Sequence, residues 1–160
     1  MPFVYGVVPG AIQTTNATPL TANDCAFFKS GTTRNLSLQA LYLQGRGAGL
    51  TAISGISIRV EKWFTTASSA GTSVTPAPRD VGMQAAKGTA AFAVATVTSG
   101  TGGPTLMLAI GCGAAGPGGW VAPNPDSLIT VEAAATQSLD LFCASGTASM
   151  NFEQSAEVVE

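Results

Sequence analysis

The sequence predicts an all-β domain: a β-sandwich of the jelly-roll kind with an extended N-terminal arm. Three observations predict it. Several stretches alternate apolar and polar residues with a period of two. Glycine- and proline-rich turn signals separate those stretches, and no segment carries a convincing long-helix pattern. Alanine, glycine, serine and threonine make up nearly half of the 160 residues, while charged residues are only 10%. Small residues, threonine and frequent turns suit close-packed strands. A chain of this length is expected to form one domain and to bury roughly 70% of the surface its unfolded form exposes.

Residues 1–24 read as the arm, and residues 25–160 as a single sandwich domain. Pro2, Pro9 and Pro19 oppose helix and central strand, and a polar stretch follows from Thr14 to Asn23. Within the arm, Phe3 to Val8 is apolar enough to pair with a sheet edge, its own or a neighbour's. The core begins near Cys25-Ala26-Phe27-Phe28. Asn35 to Leu43 is a strand, with Leu36 and Leu38 alternating with polar residues. Ile56, Ile58 and Val60 alternate with Ser57, Arg59 and Glu61 in a second. Residues 65–80 read as a long loop stiffened by Pro76 and Pro78. Residues 83–87 fit helix or strand; after Gly88 the pattern is strand. Leu106, Leu108 and Ile110 mark another, then residues 111–126 read as a loop carrying Trp120. Strands follow at Leu128–Glu132, around Leu139, Leu141 and Cys143, and around Ala148, Met150 and Phe152. The acidic end, EQSAEVVE, is expected to be partly exposed. The count is seven or eight strands, and an immunoglobulin-like order stays open beside the jelly roll.

Composition excludes much chemistry. Without histidine there is no imidazole base, no Ser-His-Asp triad, no Cys-His dyad and no histidine metal ligand. Seven scattered Lys and Arg give no footprint for nucleic acid. No apolar run approaches the ~20 residues of a membrane helix, and MPFVYGVVPG lacks a basic signal-peptide start. Cys25, Cys112 and Cys143 are odd in number and widely spaced. They read as reduced, buried thiols from a chain folded in a cytoplasm. Neither cofactor nor metal is expected.

Three features are candidates for chemistry. Gly111-Cys112-Gly113-Ala114-Ala115-Gly116 spells the dinucleotide-binding G-x-G-x-x-G, but no helix survives the following Pro117, Gly118, Gly119 and Pro123. Among the acids, Glu61 and Glu132 could share a cleft for glycoside hydrolysis. Asp80 beside Arg79 reads as a local ion pair, Asp126 as a turn residue, and Asp140 as part of a solvated strand face. Trp63 and Trp120 are the last feature. Trp120 could stack on a sugar ring, or anchor its loop by burial. By elimination the chain is expected to act through shape and surface rather than bond-making.

The loop TTASSAGTSVTPAPRDVG (65–82) and the segment GCGAAGPGGWVAPNPDS (111–127), with the uncharged Ala/Gly/Thr-rich composition, resemble small virion structural proteins of tailed bacteriophages. The nearest in character are head decoration, or cement, proteins. The resemblance covers residues 35–155 and carries over no residue by position. It implies a non-enzymatic, jelly-roll-like domain on the virion's capsid surface. Its implied partners are the major capsid protein and two further copies in a homotrimer, with no nucleic acid or membrane. Phe3, Tyr5, Trp63 and Trp120 are the candidate partner contacts; Trp63, Phe64 and Leu50 are candidates near a threefold axis. The alternative is a carbohydrate- or receptor-binding module of a phage tail or fibre.

Overall fold

A computed structural model describes residues 3–8, 13–14, 24–46, 55–80, 82–113, 117–134, 136–145 and 151–160. Its strands are β1 (Val4–Val7), β2 (Gln13–Thr14), β3 (Asp24–Lys29), β4 (Leu36–Arg46), β5 (Gly55–Trp63), β6 (Ser69–Val74), β7 (Ala77–Pro78), β8 (Thr89–Thr98), β9 (Thr105–Gly113), β10 (Gly118–Val121), β11 (Ile129–Val131), β12 (Ser138–Ser145) and β13 (Asn151–Val159). The one helical element among the described residues is a 3-10 turn, Pro125–Ser127. The fold is an all-β sandwich of two antiparallel sheets. The first runs β10-β4-β13-β1-β7, with β11 also on β4 and β2 on β13; the second runs β6-β8-β3-β12-β5-β9.

Strands β10 and β11 lie on the same edge of β4, Val121 opposite Ala40 and Ile129 opposite Leu38. They act as one edge strand interrupted by residues 122–128. Eight framework strands then remain once β2, β6, β7 and β8 are set aside. They pair first-eighth-third-sixth in one sheet and second-seventh-fourth-fifth in the other.

The core lies between the sheets. Tyr5, Val7, Leu36, Leu38, Leu41, Leu43, Ala156 and Val158 face inward from the first sheet, against Ala26, Phe28, Ile58, Val60, Ala90, Leu139 and Leu141 from the second. Full burial of each leucine, isoleucine or phenylalanine contributes about 1.5–3 kcal/mol. Strand β4 shows how sequence and register agree. Its leucines alternate at 36 and 38, slip one place, and alternate again at 41 and 43. The pairing of β4 with β13 shifts at the same place, between Glu157 and Val158, so one extra residue is absorbed as a bulge. Both pairs of leucines therefore reach the core.

Several expectations change. Val4–Val7 pairs with β13 on one side and β7 on the other, and Tyr5 is fully buried, so this part of residues 1–24 is a strand of the fold's own sheet. The rest of that arm, apart from Gln13–Thr14 and Asp24, lies outside the described residues. The acidic end is not a partly exposed tail but a central strand, β13, because Gln154, Ala156 and Val158 turn inward between β4 and β1. Residues 65–80, expected as a loop, contain β6 and β7. Trp120, expected in a loop, lies on β10. Residues 82–88 are irregular, neither helix nor strand. They are strapped down by the Tyr5 hydroxyl donating to the Gln84 carbonyl at 3.0 Å, and by Lys87 N–H donating to the Glu160 carboxylate at 2.9 Å.

Candidate functional site

The acids are arranged differently from the expectation. Glu132 is exposed beyond β11 in the first sheet, while Glu61 sits on β5 in the second with Asp140 and Leu106 as its cross-strand neighbours. The carboxylates brought side by side are thus Glu61 and Asp140, not Glu61 and Glu132. Asp140 points outward, as its place between Leu139 and Leu141 requires. It is nevertheless completely buried, not solvated, because chain crosses over it. The Ser68 hydroxyl donates to one carboxylate oxygen and the Ser138 hydroxyl to the other, the latter at 2.7 Å. Ser68 Oγ in turn accepts from Gly100 N–H at 2.8 Å, and Ser68 N–H donates to Ser138 Oγ at 3.0 Å. Thr66 and Thr101 bridge the two crossing segments. Phe27, opposite Asp140 on β3, and Ala91 beyond it extend this buried outer layer. The arrangement locks a loop onto a sheet, with Glu61 7% exposed and Asp140 0%. Arg79 pairs with Glu157, not with Asp80, because β7 lies beside β1 and β1 beside β13. Asp126 sits exposed in the 3-10 turn, as its context implies.

The four candidate contact residues part ways. Tyr5 is core; burial first, and the Glu160 charge second, hold its phenol above the ordinary 10.0, against the lowering effect of Arg34. Trp63 is half-buried, its Nε1 buried without a hydrogen-bond partner. Its ring closes on Gly100, where an added Cβ would come within 2.9 Å of the indole and 2.2 Å of the Thr66 carbonyl. Phe64 stays 40% exposed, with Lys62 Nζ 5.1 Å above its ring; Leu50 lies outside the described residues. Trp120 is half-buried, paired with Leu41 and packed against the core, which is the arrangement of an anchor rather than a stacking platform.

Phe3, partly buried and packed against the edge of the core, lines an open surface hollow. Its backbone is tied to Glu160 by two 3.0 Å hydrogen bonds, and its ring carries the Arg34 guanidinium 5.2 Å above its centre. Arg34 Nη2 donates to Gln84 Oε1 at 2.9 Å, whereas Nη1 is buried with no acceptor. Phe3, Thr33, Arg34, Asn35, Ser37, Val159 and Glu160 enclose about 540 Å³. A second hollow of about 270 Å³, more apolar, adjoins it through Val159 and is bounded by Val4, Gln39, Ala122, Pro125 and Leu128.

No family model, curated protein or solved structure matches the chain.

The glycine motif closes β9 at Gly111–Gly113, and the next described element is strand β10, so these glycines do not open a helix. The side chains of Cys25, Cys112 and Cys143, and residues 114–116 of the motif, lie outside what is described. Among the described residues no group of three acids or thiols is placed to hold a metal ion, and no helix is long and apolar enough to cross a membrane. Sequence reasoning missed Arg34 and the Ser68–Ser138–Asp140 cluster. A lone arginine in GTTRN carries no signal, and serine is too common here to mark a buried partner.

Proposed function

We propose that this chain is a non-enzymatic structural protein of a virion, a decoration protein that binds the outer surface of a phage head through the major capsid protein and stabilises its lattice. The sandwich is, in this proposal, a jelly roll. The pairing order of the eight framework strands supports that, with the first and last strands adjacent in one sheet. The observation that carries the docking role is the hollow at Phe3 and Arg34. An aromatic ring, the Arg34 cation above it and the apolar side chain of Val159 converge there. Aromatic residues and arginine are the side chains that most often dominate protein–protein contacts. The backbone pair between Phe3 and Glu160 holds one side of the hollow in place before docking, which lowers the ordering entropy to be lost, and modest contacts repeated over a lattice sum through avidity.

Co-sedimentation with undecorated heads tests it. Wild type should sediment with the heads and raise their thermal disassembly temperature, and Arg34→Ala should weaken sedimentation at least tenfold while its own melting changes by less than 2 °C. No sedimentation of the wild type, or equal sedimentation of Arg34→Ala, sinks the proposal for this surface.

A further inference from the structure

Two buried carboxylates lie side by side beneath the crossing segments. Asp140 on β12 and Glu61 on β5 are directly opposed. Opposed residues of an antiparallel pair share a face, with Cβ atoms about 4.5–5.5 Å apart. Both residues are withdrawn from water. Two negative charges held that close, with little solvent to screen them, repel strongly, and a buried pair relieves this by keeping a proton.

The hydrogen-bond directions say which of the two is charged. Gly100 N–H donates to Ser68 Oγ at 2.8 Å, and Ser68 N–H donates to Ser138 Oγ at 3.0 Å. Each hydroxyl oxygen thus takes up a backbone N–H, and each hydroxyl proton is directed onto one oxygen of Asp140. A proton on Asp140 would compete with a hydroxyl that already donates there and would strand that hydroxyl's own proton in a buried site. The cluster is built around the anionic form of Asp140.

Few charges face the pair. On β5, Arg59 Nη1 stands 4.0 Å from Glu61 Oε1, but the Arg59 side chain is 42% exposed. An ion pair that long and that wet contributes little, and does not offset a buried like charge. Lys62 donates to the Thr130 carbonyl of the first sheet. On β3, Phe27 is opposite Asp140 and Lys29 opposite Ser138. The side chains of Asp24 and Cys25 on β3, and of Cys143 on β12, lie outside what is described. On β9 the neighbour of Glu61 is Leu106, and neither β6, β8 nor the crossing residues 64–68 and 99–103 contain an ionisable group.

We infer that Glu61 carries a proton at neutral pH, held there by the anionic Asp140 beside it, so that the cover over the second sheet closes on one charge rather than two. The cover is therefore proton-linked. Raising the pH removes the proton, sets two charges beneath residues 64–68 and 99–101, and loosens them. A proton held more tightly in the folded chain gives stability that is full below the ordinary glutamate value of about 4.3 and is lost as pH rises through the folded value. The inference stands apart from the capsid proposal.

Infrared spectroscopy of the full chain in heavy water tests it. At neutral pH wild type should show the carbonyl band of one protonated carboxyl group, because solvated acids are ionised there. Labelling the glutamate carboxyls with carbon-13 should shift that band, and labelling the aspartate carboxyls should not. Glu61→Gln should lose it. Denaturant melts give the second readout. A proton still bound at neutrality has its pKa lifted by more than two units, so the wild-type folding constant should fall at least a hundredfold, relative to that of Glu61→Gln, between about pH 5 and pH 9. A Glu61 that served packing alone would move neither readout. Wild type without the band at neutral pH overturns the inference, whether or not Glu61→Gln folds. So does a band that shifts with labelled aspartate, or one that survives Glu61→Gln, or the same pH dependence in both chains.

Discussion

On the second sheet the outward side chains of Phe27, Asp140 and Glu61 lie beneath crossing chain, whereas on the first sheet Tyr42 and Val121 stand in the open at 43% and 53%. The patch around Asp140 is covered by the protein's own loops, with a carboxylate accepting from two serines; Tyr42 and Val121 have no such cover. A carboxylate taken out of water is tolerable only when its oxygens are hydrogen-bonded, and the hydroxyls of Ser68 and Ser138 supply that. The difference teaches that outward on a strand is not the same as exposed. What a loop does above the sheet decides it.

The sharpest way to break this comparison is Asp140→Ala. It removes two hydrogen bonds to a charged acceptor, each worth about 1.5–3 kcal/mol, and strands two buried hydroxyls. A loss of about 3 kcal/mol or more is expected, seen as a melting temperature lower by roughly 6–12 °C. A drop below 2 °C would mean that Asp140 does not secure the crossing loop. Gly100→Ala tests the same cover without touching charge. Its methyl meets the Thr66 carbonyl and the Trp63 ring, and about 1–3 kcal/mol should be lost by overpacking.

A smaller effect is expected between the faces, at Tyr5. Tyr5→Phe deletes one hydrogen bond, about 0.5–1.5 kcal/mol at neutral pH. It also carries a pH signature. A phenol whose folded value is raised gives stability that is full below the ordinary 10.0 and is lost as pH rises from there through the folded value. Denaturant melts of wild type should therefore weaken above about pH 10, and that part of the loss should be missing in Tyr5→Phe. On the open face Tyr42→Ser should move stability by no more than about 0.5 kcal/mol; a larger loss would show that Tyr42 is packed against something after all.

The fold was legible where burial follows a strict period of two. Ile58 and Val60, Leu139 and Leu141, and the leucines of β4 all announce their inward faces. It was illegible where tertiary context overrode local chemistry. Gln154 occupies an inward slot of β13 and Glu157 faces Arg79, so a central strand carried the composition of a solvated tail. Ser69–Val74 and Gly118–Val121 hold too few apolar residues to show a period, and only their partners β8 and β4 make them strands. Tyr5 and Phe3, two residues apart, read alike as candidate contacts. One lies in the core and the other lines a surface hollow, because β1 is paired on both sides at Tyr5 and meets only Glu160 at Phe3. Asp140 was assigned its outward direction from sequence, but the cover above it depends on Ser68, seventy-two residues earlier in the chain.

The interrupted edge of the first sheet has a practical consequence. Strands β10 and β11 keep their places on β4 at Ala40 and Leu38, and residues 122–128 bridge a gap of a single residue. Beyond the Ala122 N–H to Gln39 carbonyl bond at 2.8 Å, the ladder asks nothing of them. The excursion is therefore a natural splice point. An epitope or peptide ligand inserted at exposed Asn124–Asp126 would be presented by a scaffold whose strand register is already closed on either side of it.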